Sequence, residues 1–238
     1  MQAFILAGGK GVRLQPYTMV FPKPMLPVGG MPIIAVIVKQ LAYFGFTDIT
    51  ISLGYLGDYI RLYFDDRNHI PAGTVIRYVE ETEPLGTAGS LSLLQNHEED
   101  FLVLNGDLLT SLDFRDFFLF HRDQEALLSI AVGKKQVKMN LGILELDGTR
   151  VTDFKEKPVV TYHDNMGIYI YNRKVLNHIE KNKRLDFNEL VLRLLGKREK
   201  VLGYLSEKPY YWIDIGQHAD YEQANGEFEQ HKGDFLKS

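Results

Sequence analysis

The chain has 238 residues, of which 45% are hydrophobic and 24% charged, enough length and apolar content for a large core. A formal charge of −4 with no dense run of Lys or Arg disfavours nucleic acid as a partner, because a phosphate backbone needs a basic footprint. The absence of cysteine removes disulfide frameworks and thiolate metal sites. No apolar run reaches membrane-spanning length, and the start Gln2-Ala3-Phe4-Ile5-Leu6 lacks the pattern of a signal peptide, so the expectation is a cytoplasmic enzyme with no membrane partner.

The spacing predicts a buried strand over 3–7, a helix over 32–44 with Pro32 in its first turn and Gly45 past its end, and a strand over 48–53. A helix over 55–66, a strand over 75–79, a helix over 87–95 and a buried strand over 101–105 follow. Next come a helix over 114–122 and a strand over 126–132. This alternation argues for an α/β fold, a doubly wound, mostly parallel sheet with helices on both faces. Ligands in such sheets bind at the carboxyl ends of strands, so the loops after Ala7, Val79 and Asn105 share one rim. In the second half, 142–146 and 151–154 flank Asp147-Gly148, a hairpin turn signal. A strand over 165–171, helices over 175–181 and 187–195, an extended stretch over 200–205 and a terminal helix over 219–230 with a frayed tail complete the reading. With no repeat and no Gly/Ser linker, the expectation is a single domain over 1–238: a nucleotide-binding half over about 1–135 and a smaller, β-rich half over 136–238.

The rim loops carry the chemistry. After the first strand, Leu6 and Ala7 lead into Gly8-Gly9-Lys10-Gly11-Val12-Arg13. Glycines let backbone N–H groups approach a phosphate chain, and the loop has neither P-loop nor GxGxxG spacing. Lys23 sits between Pro22 and Pro24, which stiffen the backbone and lower the entropic cost of aiming its side chain. Arg13 and Lys23 suggest a site that neutralises a nucleoside triphosphate during phosphoryl transfer. Glu80-Glu81 precedes Gly86-Thr87-Ala88-Gly89, whose glycines open a helix and let a flat ring lie near the backbone; either glutamate could accept from guanine N1–H and N2–H. The strand ending in Asn105-Gly106-Asp107 puts a carboxylate on the rim, and Trp212-Ile213-Asp214 offers a second; Mg²⁺ favours one or two carboxylates plus phosphate oxygens and water. His69, His97, His121, His163, His178, His218 and His231 show no metal-ligand spacing and are read as surface or cap residues.

The stretch from Leu6 to Thr18, followed by Pro22-Lys23-Pro24-Met25-Leu26-Pro27-Val28, resembles the signature of the sugar-1-phosphate nucleotidylyltransferases, and later blocks fall in the family's order over nearly the whole chain. Its guanylyltransferase members, which act on mannose 1-phosphate, are the most similar. The resemblance implies the nucleotide-diphospho-sugar transferase fold. It makes Leu6, Ala7, Gly8, Gly9, Gly11, Val12, Arg13, Lys23, Glu80, Gly86, Thr87, Ala88, Asn105 and Asp107 the nucleotide site. It gives Asp107 and Asp214 to a catalytic Mg²⁺. Lys157 of Phe154-Lys155-Glu156-Lys157-Pro158 is then a sugar-phosphate contact, Glu156 a contact of its hydroxyls, and Asn165, the Gly142 backbone and Asp214 further contacts on that side. Two positions depart from the family pattern: Val12 replaces a small hydroxyl residue and leaves only its N–H for phosphate, and Leu141 replaces an aromatic before Gly142.

The implied reaction is attack by a sugar-1-phosphate oxygen on the α-phosphorus of an NTP, GTP first, with Arg13, Lys23 and Asp107 as catalytic residues and pyrophosphate leaving. UTP or dTTP with glucose 1-phosphate, an amino-sugar or heptose phosphate, a non-sugar acceptor such as phosphocholine, and a non-catalytic nucleotide-binding homologue are the alternatives. The partners are the NTP and the sugar phosphate, with room for a homodimer. The left-handed β-helix that many relatives carry is not expected, since the chain ends soon after Asp214.

Overall fold

The computed structural model describes residues 1–81, 83–94 and 98–237; His97 and the last residue of the helix expected over 87–95 lie outside them. Its elements in chain order are β1 (Gln2–Ala7), β2 (Pro27–Val28), β3 (Met31–Pro32), α1 (Ile33–Tyr43), β4 (Asp48–Leu53), α2 (Gly57–Asp65), β5 (Val75–Glu80), α3 (Gly86–Gly89), β6 (Asp100–Asn105), β7 (Leu108–Thr110) and α4 (Phe114–Asp123). Then follow β8 (Leu128–Lys138), β9 (Ile143–Asp147), β10 (Arg150–Lys155), β11 (Val159–Asn172), α5 (Phe187–Gly196), β12 (Val201–Tyr204), β13 (Trp212–Asp214) and α6 (His218–Phe235).

A seven-stranded sheet runs in the order β12-β8-β11-β6-β1-β4-β5. β6, β1, β4 and β5 are mutually parallel, so their carboxyl ends form one rim, as expected. β11 is antiparallel to both β6 and β8. It reaches β8 through the β9–β10 hairpin without a crossover helix, and antiparallel pairing is what a direct return allows.

Side-chain alternation along β1 divides the core. Ala3, Ile5 and Ala7 face a cluster built with α1, α2, α4 and α6, whereas Phe4 faces a second one with Phe101, Val103, Tyr169 and the α5 leucines Leu190 and Leu194. Both faces of the sheet are covered, which is why β1 and β6 carry apolar runs, Ala3–Ala7 and Phe101–Leu104, while β4 buries Thr50 and Ser52 among its apolar residues.

Several elements differ from the sequence reading for local reasons. The helix expected over 87–95 is the single turn α3 followed by a 3-10 turn at Ser90–Leu93. Ser90 Oγ lies 2.8 Å from the Gly86 carbonyl, back-bonding across a turn that contains two poor helix formers, Gly86 and Gly89. The helix expected over 175–181 is a 3-10 turn, Arg173–His178, started by the Asn172 side chain accepting from Lys174 N–H. The strands read at 126–132 and 165–171 extend outward as an exposed ribbon to Lys138 and from Val159. β7 and β13 pair with each other and were not expected, being too short to show a period. The terminal helix runs to Phe235, which is 1% exposed, so the residues expected to fray are anchored in the core.

His121 is also corrected, from surface to interior: it is 1% exposed, with Nδ1 2.8 Å from Ser129 Oγ and Nε2 3.5 Å from Asp100. Burial lowers its pKa from the ordinary 6.5, against the opposing pull of Asp100. A base whose folded pKa is depressed stays neutral in the fold while the unfolded chain takes up a proton. Stability is therefore expected to fall as pH drops from 6.5 to about 5, and His121→Asn should flatten that slope in melting temperatures measured across the interval.

Candidate active site

The phosphate-loop candidate leaves β1 at Ala7 and turns through Gly11, whose φ of +60° is the left-handed region that glycine tolerates best. Thr18, itself buried, donates to the Gly11 carbonyl at 2.8 Å and fixes the turn. A side chain on Gly11 would meet the Thr18 methyl at 3.0 Å and Lys23 Cβ at 3.2 Å, so the loop lies directly on the lysine stem. Ala7, Gly9, Gly11, Val12, Arg13, Lys23, Pro24 and Asp107 line a cavity of about 300 Å³. Gly8 sits beside it against Glu81. The Val12 side chain is 61% exposed.

Lys23 is 8% exposed, aimed by a turn that follows Pro22 at φ −65°. Its Nζ lies 2.5 Å from Asp107 Oδ2. Asp107 Oδ1 is buried and has no hydrogen-bond partner. Asp214 is brought alongside by the pairing of β13 with β7 and by the Ile215 N–H donating to the Asp107 carbonyl at 3.1 Å. Partial burial raises the Asp214 pKa, and the negative charge of Asp107 adds to that rise while Lys23 and Arg13 oppose it. A methyl on Gly216 would stand 3.3 Å from Asp214, 3.5 Å from Arg13 Nη2 and 3.5 Å from Asp220, so these groups converge on one point. The donor set, two carboxylates with one buried oxygen left unsatisfied, suits a hard divalent cation that completes its shell with phosphate and water. Among the described residues there is no cluster of three or more His, Cys, Asp or Glu that could hold a metal by itself.

Of the two glutamates, Glu80 is exposed and paired with Arg61, whereas Glu81 turns toward Gly8. Glu81 Oε1 accepts from Ser52 Oγ at 2.6 Å and lies 2.8 Å from Ser90 Oγ, and Oε2 accepts from Leu85 N–H at 3.2 Å. The glycines of the 86–89 segment serve packing as well: the Leu185 carbonyl accepts from the Ala88 and Gly89 N–H groups, and Gly86 presses against Leu185 and Asp186. Thr87 Oγ1 accepts from Phe187 N–H at the start of α5, and the Ala88 methyl is buried in the second core cluster.

On the second half's side, Asn165 donates to the Tyr169 hydroxyl at 2.9 Å and accepts from Gly167 N–H at 3.0 Å, and Gly167 lies against the Asn105 amide. Burial pushes the Tyr169 phenol up to about 12; Asp107 and Asp214 add to the rise and the Asn165 hydrogen bond opposes it. Asn105, Asn165 and Tyr169 therefore belong to the surroundings of the two carboxylates. Gly142, Glu156 and Lys157 stand apart on the outer ribbon. Gly142 packs on the Phe154 ring with Glu156 beside it, and Lys157, at φ +42°, has its Nζ 3.6 Å from Glu156 Oε1.

Sequence reasoning did not single out Ser52, Ser90, Tyr169 or Asp220. A serine between Ile51 and Leu53 in the strand 48–53 was a usable signal, because a buried hydroxyl needs a partner. Asp220 accepts from the Gly216 and Gln217 N–H groups, and its position three residues after Gln217 fits a helix start.

Comparison with known proteins bears on this geometry. The family model described as nucleotidyl transferase matches residues 2–231. A D-glycero-alpha-D-manno-heptose 1-phosphate guanylyltransferase from Aneurinibacillus thermoaerophilus is 32% identical over 97% of this chain and 100% of its own length. The mannose-1-phosphate guanyltransferase of Schizosaccharomyces pombe is 33% identical over 93% of this chain and 62% of its own length. Of several other curated relatives, too, the chain spans about three fifths. The crystal structure of HddC from Yersinia pseudotuberculosis complexed with GMP-PN superposes with a TM-score of 0.70 at 29% identity, covering 95% of this chain and 99% of that one. The helix-flanked sheet, the glycine loop and the paired carboxylates on its rim are thus those of a chain that belongs to the nucleotidyl transferase family.

Proposed function

We propose that this protein transfers a nucleoside monophosphate from GTP to a sugar 1-phosphate of the mannose or heptose type, releasing pyrophosphate, with Mg²⁺ as the metal. The observation that carries the reading is the meeting of Lys23, Asp107 and Asp214 beside the glycine loop, with Lys23 and Asp107 lining the cavity of about 300 Å³. The guanylyltransferase relatives support GTP and a sugar 1-phosphate.

The nucleophile is a phosphate oxygen that is already anionic at neutral pH, so the work is positioning and charge stabilisation rather than proton abstraction. In this reading the loop N–H groups of Gly8 to Val12 and the Arg13 guanidinium hold the β- and γ-phosphates. Lys23 shifts from Asp107 to the α-phosphate and meets the incoming phosphate. Asp107 and Asp214 hold the Mg²⁺, which supplies charge neutralisation on the triphosphate when bound. Glu81, rather than the Arg61-paired Glu80, faces the base. Asn165 and Tyr169 line the acceptor side. Glu156 and Lys157 reach the sugar phosphate from the outer ribbon, and the Leu141–Gly142 corner tunes which sugar enters.

Pyrophosphate release measured with five NTPs against a panel of sugar phosphates should peak with GTP, and a peak with UTP or dTTP would overturn the base assignment. Lys23→Ala and Asp107→Ala should each lower kcat by about 10² to 10³, as removal of one preorganised charged contact does.

The carboxylates give a test that needs no turnover. Added Mg²⁺ at ten times its Kd should stabilise the protein by about 1.4 kcal/mol. The melting midpoint should then rise by about 3 to 6 °C in differential scanning fluorimetry. Asp214→Asn should abolish most of that rise. In metal-free buffer it should melt no lower than wild type, because it removes a charge that Asp107 repels.

A further inference from the structure

The hydroxyls behind Glu81 are not equivalent. Ser52 lies within β4, fully buried, and its Oγ has Glu81 Oε1 as its partner at 2.6 Å. Ser90, also buried, has Oγ 2.8 Å from Glu81 Oε1 and 2.8 Å from the Gly86 carbonyl. A hydroxyl has one proton, so Ser90 can serve only one of these acceptors at a time. A carboxylate has about four lone-pair sites. With Ser52, Ser90 and the Leu85 N–H all donating to Glu81, one site is left open. With the Ser90 proton turned to Gly86, two are open, one on each oxygen.

We infer that Ser52 and Ser90 are positioning residues of the base-reading carboxylate, Ser52 as its permanent donor and Ser90 as a stand-in that yields to the base. The inference rests on the assignment of Glu81 to the base. A guanine presents two adjacent donors, N1–H and the 2-amino group; when they arrive, Ser90 turns to Gly86 and no acceptor is left unsatisfied. Hypoxanthine presents only N1–H, so Ser90 remains on Glu81 and fills the site the missing amino group would take. Ser90 thus softens the discrimination between the two bases, while Ser52 sharpens it by fixing the direction of the carboxylate.

The two serines therefore affect selectivity in opposite directions. With GTP and ITP as substrates, Ser52→Ala should lower the ratio of their kcat/KM values by about fivefold, the loss carried by KM for GTP. Ser90→Ala should raise that ratio by about fivefold by weakening ITP, since a buried acceptor on a charged group is then left open. A purely structural tie would shift both variants the same way, and shifts of the same sign, or none, would overturn the proposal. Melting curves report whether each variant folds, and Ser90→Ala carries the test on its own should Ser52→Ala not fold. Glu81→Gln separates the proposal from its foundation. If it erases the GTP preference while the serine variants fail to diverge, the base assignment stands and the positioning roles are wrong. If it leaves the preference intact, both fall.

Discussion

Asp107 and Asp214 are held side by side although the negative charge of Asp107 raises the cost of ionising Asp214, and much of what surrounds them answers that charge. Lys23 is pressed onto Asp107 Oδ2, Arg13 is drawn toward Asp214, and the phenol of Tyr169 is kept protonated by burial and by the same negative field. Two like charges in one pocket stabilise nothing by themselves. They make sense as half of a neutral arrangement whose other half is cationic, supplied by the protein at Lys23 and Arg13.

The fold brings these groups together by connecting distant segments at the rim. β1 contributes the glycine loop, β6 contributes Asp107, and a β13 of three residues contributes Asp214 from the far end of the chain. Because β13 pairs with β7 just beyond Asp107, the second carboxylate is fixed by backbone hydrogen bonds together with the burial of its neighbours Ile213 and Ile215. On the other flank, β11 carries Tyr169 inside the sheet and Asn165 at the irregularity where its outer ribbon begins, so one strand links the core to the surroundings of the two carboxylates.

Much of this was legible in the residues. Long buried strands and amphipathic helices announced themselves by period, and β4 was located to the residue because its β-branched run is bounded by turns. Asp107 and Lys23 were legible because each interrupts a pattern, an apolar strand in one case and a pair of prolines in the other. What stayed hidden depended on partners far away in sequence. The choice between Glu80 and Glu81 turns on Arg61, Ser52 and Ser90, none of which is a sequence neighbour of both. β7 and β13 are too short to carry a periodic signal, and the interior position of His121 follows from Ser129 on β8 and Asp100 on β6. Gly86 and Gly89 were read as room for a ring, yet the backbone at Leu185 already occupies one side of them.

The start of α6 reaches back to the segment after the glycine loop: His218 Nε2 meets the Gln15 carbonyl at 2.8 Å, 203 residues away, and the Tyr221 hydroxyl donates to the Pro27 carbonyl across 194. Tyr17 lies against both rings. For a chain emerging from the ribosome, this means that the loop made first is braced last. β1, β4 and β6 precede α6 in the chain, but the glycine loop and the turns after it lack their outer support until residues as far as Tyr221 have emerged. A nascent chain with most of its sheet in place is thus one in which the glycine loop is still unfinished.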